Sequence, residues 1–266
     1  MQDIRDQLFR GICHRKFRAV LLTERDGILS GVADAVKIAQ KLGVTWTSGC
    51  AEGDRATAGE AFAQLTAPPK EIAMAEEQII GALSKTSGIA TAANQAVRLA
   101  DGKIDIVSGS WKKMPFCMKD AVRRAIVTGG AAFRICDPPM IYMDKNFVTM
   151  LGSVKAALEA AAGLNATKIV QIRGILEPVR EETLEALAGG ADILMVDTGN
   201  LSDADVCLKV VAEKNCRGKV KVAFAGSVRL QDIPMLAARG IDILCIGREI
   251  VDAPLLDMKL NVLEEV

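Results

Sequence analysis

Short apolar runs alternate with helix-forming stretches through the second half of the chain, from about residue 104 to residue 246. This alternation predicts repeated βα units, and therefore a parallel sheet covered by helices. Strands are predicted at 104–107, 125–127, 140–143, 168–172, 193–196, 221–224 and 243–246, with helices at 154–162, 181–188, 203–213 and 230–239 among them. Six or seven such strands favour a closed or nearly closed α/β barrel, with an open doubly wound sheet as the alternative.

The first hundred residues carry a different mixture of elements. Strands are predicted at 18–23, 44–48 and 61–66, a helix at 32–42, and hairpin turn residues at 52–60. From Pro69 onward, apolar residues recur at helical spacing, which predicts an amphipathic helix that ends near Ser87 and Gly88.

Composition restricts the chemistry that such a chain can perform. Its single histidine, His14, excludes every site built on two histidines. Lys plus Arg equals Asp plus Glu at 33 each, and this zero net charge argues against a nucleic-acid or membrane-surface partner. Seven cysteines without a C-x-x-C pair favour a reducing cytoplasm over a zinc ribbon or a disulfide framework. Neither a signal peptide nor a membrane-spanning apolar run is found.

The active site of an α/β barrel forms at the carboxyl ends of its strands. The segments that follow the predicted strands are net cationic, with Lys112, Lys113, Arg134, Lys145, Arg173 and Arg248 against Asp144, Asp197 and Glu249. Gly226, Ser227 and Gly247 follow the last two strands, where backbone N–H groups commonly bind phosphate. Tight turns explain these small residues equally well. Dinucleotide-binding and P-loop glycine motifs are absent from the sequence.

Several short segments recur in order along the chain: SGIAT at 87–91, the Gly-Gly before Arg134, GADILMVD at 190–197, AGS at 225–227, GIDILCIG at 240–247 and APLLD at 253–257. In sequence and order they resemble the quinolinate phosphoribosyltransferase family, also called carboxylating nicotinate-nucleotide pyrophosphorylases, and the likeness extends from about residue 17 to the C-terminus. The resemblance implies an N-terminal α/β sandwich domain at 1–103 and an incomplete, TIM-barrel-like α/β barrel at 104–250. It further implies a segment at 251–266 that returns to the first domain, and a homodimer or a multiple of it.

The resemblance weakens at the positions where the family binds its substrate. The family's Thr-Arg-Lys corresponds to Ser110-Trp111-Lys112, its His-Arg to Phe133-Arg134, and its Lys-Asp-Asn-His to residues 144–147, Asp-Lys-Asn-Phe. Its Glu-Arg pair corresponds to Glu76-Glu77, one of its glutamates to Arg173 and another to Ala223, whereas one aspartate remains as Asp197. Most of the lost positive charge lies where the family holds the two carboxylates of quinolinate. Because burying carboxylates without guanidinium partners is costly, we expect a substrate other than quinolinate.

Two hypotheses follow from these replacements. In the first, the protein is a pentosyltransferase of pyridine nucleotide metabolism that uses phosphoribosyl pyrophosphate and another pyridine-like or heteroaromatic small molecule. Lys112, Arg134 and Asp197 would carry the transfer, and Gly226, Ser227 and Gly247 would bind phosphate. The substrate-binding candidates are Glu77, Trp111, Lys113, Lys119, Phe133, Asp144, Lys145 and Arg173.

In the second hypothesis, the barrel has lost phosphoribosyl transfer and binds, or acts differently on, a neutral or cationic heteroaromatic ligand. The replacement of two family carboxylates by Arg173 and Ala223 motivates this alternative. The residues favour the transferase, because the phosphate-side elements persist. Magnesium is left open as a cofactor, although no metal ligands are assigned, and no organic cofactor is expected.

Overall fold

The computed structural model describes residues 3–47 and 49–266, and the chain separates into two compact units. One unit combines the residues up to Asn94 with Met114–Gly130 and Ile250–Val266, and the other combines Gln95–Lys113 with Ala131–Glu249. Each unit is therefore built from segments that are distant in sequence.

The elements follow in this order along the chain. Up to residue 100 they are α1 (Ile4–Leu8), β1 (Phe17–Thr23), β2 (Gly27–Ile28), α2 (Val32–Leu42), β3 (Thr45–Thr47), β4 (Arg55–Ala56), β5 (Ala61–Ala67) and α3 (Pro69–Ala100). They continue with β6 (Asp105–Val107), 3-10 turns at Ser110–Lys113 and Phe116–Met118, α4 (Lys119–Thr128), β7 (Met140–Met143), α5 (Lys145–Leu151), α6 (Val154–Ala160) and β8 (Thr167–Ile172). The last elements are α7 (Val179–Ala188), β9 (Ile193–Val196), α8 (Leu201–Glu213), β10 (Lys221–Ala225), a 3-10 turn at Leu230–Asp232, α9 (Ile233–Ala238), β11 (Ile243–Cys245), α10 (Arg248–Val251) and β12 (Met258–Glu265).

An antiparallel sheet with strand order β12-β1-β5-β3 forms the centre of the first unit. Leu21 and Leu65 of this sheet pack in one core with Ala39 of α2 and with Ile79 and Leu83 of α3. All five side chains are fully buried. The apolar faces of sheet and helices are thus buried against each other, as in the expected α/β sandwich. The predicted strand at 44–48 is observed as β3, and Ser48 lies outside the described residues.

Helix α3 continues twelve residues beyond the predicted end at Ser87 and Gly88, so that prediction is wrong. Gly88 does not stop the helix; its missing side chain lets the helix pack against the carbonyl of Pro254, which a Cβ atom would strike. The Ser87 hydroxyl contacts the backbone N–H and carbonyl of Ser30. Both residues therefore serve close packing in the interior of a long helix, although the same residue types often end one.

A parallel sheet of six strands, in the order β6-β11-β10-β9-β8-β7, forms the second unit. Its two outer strands approach each other at their carboxyl ends, since the Lys112 ammonium beyond β6 lies 5.6 Å from the centre of the Tyr142 ring in β7. Next to β6, Ala132 adds a single bridge to Val107. The sheet therefore curls into an incomplete α/β barrel, as predicted.

The predicted strand at 125–127 is wrong, because these residues lie in α4. Val122, Ala125 and Ile126 are buried at helical spacing and form the apolar face of that helix. The remaining barrel strands occur within about two residues of their predicted positions. Among the described residues, no helix combines the length and the apolar character that crossing a membrane requires.

Candidate active site at the carboxyl ends of the barrel strands

Two aromatic side chains from different loops meet beyond the carboxyl end of β6. The Trp111 and Phe133 rings contact edge to face, with centroids 6.0 Å apart and planes inclined by 70°. The Trp111 indole N–H donates to the Phe133 carbonyl at 2.8 Å, which fixes the orientation of the indole. The Arg134 guanidinium lies 5.0 Å from the centre of the Phe133 ring. This part of the barrel mouth is therefore an aromatic surface with a guanidinium cation against one of its rings.

Asp197, which follows β9, is held by two side chains from β8 and the loop after it. Its Oδ2 atom accepts hydrogen bonds from Gln171 Nε2 at 2.9 Å and from Arg173 Nη1 at 3.2 Å. Both members of the ion pair with Arg173 are about one-third exposed. The other oxygen, Oδ1, has no hydrogen-bond partner among the described side chains. One oxygen of Asp197 is thus fixed by the protein, and the second can accept from a ligand.

The Gln171 side chain connects this carboxylate to β7. Its Oε1 atom accepts from the Lys145 backbone N–H at 2.7 Å, and its Nε2 atom also donates to the Tyr142 hydroxyl at 3.2 Å. Together with the Lys112 contact on the Tyr142 ring, these bonds form a continuous chain from Lys112 to Asp197. The structure therefore brings together predicted site residues from both sides of the curled sheet.

A buried carboxylate shapes the loop that carries Arg173. Glu182 of α7 is 3% exposed, and its oxygens accept from the backbone N–H groups of Arg173 at 2.7 Å, Gly174 at 2.9 Å and Ile175 at 3.2 Å. Three hydrogen bonds to one charged group compensate for much of its lost hydration. Glu182 therefore fixes the backbone from which Arg173 reaches Asp197.

The glycines after β9 and β10 serve a close contact between two loops. Gly226 has a φ of +107°, and a Cβ atom there would lie 2.6 Å from the Cα of Gly199. The Gly199 N–H donates to the Ala225 carbonyl at 3.1 Å. Ser227 is exposed and also has a positive φ, and Gly247 leaves room for the Ser110 side chain. Tight loop packing thus accounts for these small residues, and it also places their backbone at the barrel mouth.

Asp144 has a structural task that the sequence did not indicate. It is the N-cap of α5, with Oδ1 accepting from the N–H groups of Asn146 at 2.8 Å and Phe147 at 3.2 Å. Helix capping of this kind stabilises a helix by about 1 kcal/mol. The side chains of Lys145 and Phe147 are exposed at the start of the same helix.

Two of the predicted substrate-binding residues belong to the first unit. Glu77 lies on α3 and forms an ion pair with Arg5 at 2.9 Å, and Lys119 begins α4. Lys113 lies in the second unit, exposed at the end of the 3-10 turn that carries Trp111 and Lys112.

The donor set at the mouth does not fit a magnesium ion held by the protein. Asp197 already binds the Arg173 guanidinium, and Arg173 and Ala223 stand where the resembled family has glutamates. Throughout residues 3–47 and 49–266, no three His, Cys, Asp or Glu side chains form a group able to hold a metal ion. Hard divalent cations need several oxygen ligands, which these residues do not supply.

Cysteine chemistry is also disfavoured at this site. Burial, and secondarily the Asp197 charge, raises the pKa of the Cys245 thiol at the end of β11 to about 12. The thiolate is the nucleophilic form, so this thiol is inert near neutral pH.

The sequence analysis did not identify the residues that link the side chains of the candidate site to one another. Tyr142 and Gln171 lie inside predicted strands, and Glu182 lies inside a predicted helix. Gln171 is a polar residue in an otherwise apolar run from Ile169 to Ile172, which was the available signal. An inward-facing polar side chain near the carboxyl end of a barrel strand is typical of a functional position.

Family models and individual relatives match nearly the whole chain. A model described as "Quinolinate phosphoribosyl transferase, C-terminal domain" matches residues 89–261, and one for the N-terminal domain of the same family matches residues 3–87. A probable carboxylating nicotinate-nucleotide pyrophosphorylase from Archaeoglobus fulgidus is 25% identical over 250 residues, covering 92% of this chain and 94% of the relative. The carboxylating nicotinate-nucleotide pyrophosphorylase of Rattus norvegicus is 28% identical over 256 residues, covering 93% and 82% respectively.

Solved structures show the same fold. The nicotinate-nucleotide pyrophosphorylase from Francisella tularensis superposes with a TM-score of 0.83 at 23% identity, covering 99% of this chain and 91% of that one. The corresponding protein from Ehrlichia chaffeensis superposes with a TM-score of 0.84 at 19% identity, covering 98% and 92%. The similarity therefore extends over both units of the chain.

Proposed function

Because the chain belongs to the quinolinate phosphoribosyltransferase family, we propose that it transfers the phosphoribosyl group of phosphoribosyl pyrophosphate to a pyridine-like ring other than quinolinate. The observation that carries this proposal is the Trp111–Phe133 surface, which lies where the family's arginine and histidine are expected. An aromatic surface binds a ring through its faces and edges, whereas a dicarboxylate needs guanidinium partners.

Cations and backbone groups at the mouth support binding of the phosphoribosyl donor. Lys112 and Arg134 are exposed beside the aromatic surface and provide charge for phosphates. The loops at Gly226, Ser227 and Gly247 place backbone close to the same strand ends. We assign these groups to the phosphates of the donor, and we assign the ring to Trp111 and Phe133.

Asp197 is suited to the sugar. Its Oδ2 atom is fixed by Gln171 and Arg173, so the carboxylate has a defined direction before any ligand binds. The remaining oxygen can accept a hydrogen bond from a ribose hydroxyl. Such preorganisation avoids reordering during the reaction.

The proposed transfer requires no histidine. The ring nitrogen donates its lone pair to C1 of the sugar, and the bond from C1 to the pyrophosphate oxygen breaks with its electron pair leaving on pyrophosphate. Positive charge develops on the sugar, and the carboxylate of Asp197 favours it electrostatically. Lys112 and Arg134 neutralise the leaving pyrophosphate. Charge placement and orientation thus supply the catalysis.

Magnesium and the oligomer complete the proposal. Because the donor set does not fit a resident ion, any magnesium enters bound to the phosphates of the donor. We also propose the dimer that the resemblance implies, which light scattering of the purified protein tests by its mass. A monomer at micromolar concentration contradicts that part.

Titration calorimetry and product analysis test the transfer. We expect phosphoribosyl pyrophosphate to bind, and Lys112→Ala and Arg134→Ala each to weaken its binding by about tenfold, as for loss of a charge-assisted contact. Lys209→Ala is the matched control, because Lys209 is an exposed cation of the same unit on helix α8, which the proposal does not use. Absence of binding at millimolar donor, with and without magnesium, contradicts the transferase proposal.

The Arg173–Asp197 ion pair favours a second candidate function. Because Arg173 neutralises part of the Asp197 charge, this carboxylate stabilises a ribosyl cation less well. That suits a barrel that binds a neutral or cationic heteroaromatic ligand and does not transfer a phosphoribosyl group. Thermal shift with pyridinium compounds and anionic pyridines separates the two candidates. Stabilisation by pyridinium compounds, in a protein that does not bind the phosphoribosyl donor, supports the second.

A further inference from the structure

Tyr142 carries a hydroxyl proton that has no acceptor among the residues that the structure describes. The neighbouring Gln171 amide has only one possible orientation. Its Oε1 atom faces the Lys145 backbone N–H, which can only donate, and its Nε2 atom faces the Asp197 carboxylate, which accepts. The amide N–H directed at Tyr142 must therefore donate to the phenol oxygen at 3.2 Å.

This arrangement determines the role of the phenol. A tyrosine hydroxyl has one proton and accepts through its lone pairs. Since its oxygen accepts from Gln171, its proton points elsewhere, and it has no acceptor among the described side chains and backbone groups. Burial is the main cause of a strongly raised pKa of Tyr142, and the Asp197 and Asp144 charges add to it. The phenol therefore remains protonated at physiological pH, and its proton is available to a ligand as an uncharged donor.

The location of the hydroxyl connects it to the proposed ligand site. Tyr142 packs with the inward-facing residues of the barrel strands, and Lys112 lies over its ring at 5.6 Å. Through Gln171, its oxygen is two hydrogen bonds from the carboxylate of Asp197. The phenol thus lies one contact from the 3-10 turn that carries both Lys112 and Trp111, and Trp111 belongs to the surface assigned to the ring. On its other side it is linked to Asp197, which is assigned to the sugar.

We propose that Tyr142 is a specificity-determining residue, whose hydroxyl donates a hydrogen bond to an exocyclic oxygen on the ring substrate. This inference rests on the proposed function in one respect, because transfer requires the ring nitrogen's lone pair to face the sugar. The acceptor for Tyr142 is then a substituent of the ring. The phenol is an uncharged donor, which suits an amide or ketone oxygen. A carboxylate requires guanidinium partners, and Trp111 and Glu77 stand where the resembled family has arginines.

Matched pairs of small ligands test this inference without the phosphoribosyl donor. The probes are pyridine-2-, 3- and 4-carboxamide, each compared with the corresponding methylpyridine, in titrations of the full-length protein. We expect one carboxamide to bind the wild type about fivefold more tightly than its methylpyridine, the size of one net hydrogen bond. In Tyr142→Phe that preference disappears, while affinity for the methylpyridine changes less than twofold. If no carboxamide binds more tightly than its partner, the proposal is overturned.

A second readout separates this role from a structural one. Tyr142 is the only tyrosine of the chain, so protein labelled with 3-fluorotyrosine gives a single fluorine resonance from this side chain. The preferred carboxamide shifts that resonance and its methylpyridine does not, and this measurement requires no amino-acid substitution. Equal shifts with both ligands contradict the inference.

Failure of the proposed function has a different signature. Binding of phosphoribosyl pyrophosphate to Tyr142→Phe stays within twofold of the wild type if the phenol serves the ring. A loss confined to the phosphoribosyl donor shows that Tyr142 acts on the sugar or phosphates, and it overturns the inference while leaving the transferase intact. If the protein prefers a carboxamide but does not bind phosphoribosyl pyrophosphate, the transferase proposal is overturned and the hydrogen-bonding role of Tyr142 is retained.

Discussion

Substitution of Glu182 tests how the loop that carries Arg173 is held. The buried carboxylate accepts from three backbone N–H groups, at 2.7, 2.9 and 3.2 Å. Hydrogen bonds to charged groups contribute about 1.5–3 kcal/mol each. Removing the carboxylate also removes its own burial cost, and two of the three N–H groups belong to exposed residues that can turn to water. We therefore expect Glu182→Ala to lower the free energy of unfolding by about 3 kcal/mol.

Glu182→Gln is expected to have a smaller effect. Its single amide oxygen can accept the two shorter hydrogen bonds, whereas its NH2 group faces the third N–H and cannot accept from it. The free energy of unfolding should therefore fall by about 1–2 kcal/mol. Glu181→Ala is the matched control, because Glu181 is the exposed neighbour on the same first turn of α7. An exposed substitution of this kind stays within about 0.5 kcal/mol of the wild type.

Urea unfolding gives the three free energies, and amide hydrogen exchange locates the effect. Exchange at residues 173–175 should accelerate in Glu182→Ala and remain unchanged in Glu181→Ala. The reasoning is refuted if the two alanine variants have equal stability, or if Glu182→Gln is as unstable as Glu182→Ala.

Three further substitutions give separate checks. Gly226→Ala should lower the free energy of unfolding, measured in urea, by at least about 2 kcal/mol, because the new Cβ atom would strike Gly199 and φ at this position is positive. An unchanged free energy of unfolding contradicts the loop packing. Ser108→Ala should raise the free energy of unfolding by about 1 kcal/mol, seen as a higher urea midpoint, because the Ser108 hydroxyl is buried without a hydrogen-bond partner among the described atoms. A lower urea midpoint contradicts this expectation. Trp111→Arg should increase the affinity for quinolinate in calorimetry by about tenfold, and no gain argues against the assignment of this position to the ring.

The sequence predicted the elements whose patterns are local. Strands β7 and β9 occur at their predicted bounds because each is a short, bounded apolar run between turns. The run at 125–127 has the same local appearance, but its neighbours at helical spacing place it in α4. Gly88 was misinterpreted because the close approach of Pro254 comes from a segment far away in sequence.

Some positions of the candidate site could also be predicted from local sequence patterns. Trp111, Phe133 and Asp197 were predicted from their positions after strands, because a parallel barrel concentrates chemistry at its strand ends, and the structure places all three there. Gln171 was not found, because its role depends on the register that brings β7 and β8 together. Asp144 carries a charge that the sequence suggested for a ligand, whereas in the structure it caps a helix.

The most direct test of the account is release of pyrophosphate from phosphoribosyl pyrophosphate by the purified protein, measured with quinolinate and with a panel of pyridine carboxamides. We expect turnover with at least one uncharged carboxamide, and turnover with quinolinate at least tenfold lower. Efficient turnover of quinolinate that exceeds every carboxamide would contradict the changed substrate. Release with none of the compounds would contradict the transfer itself.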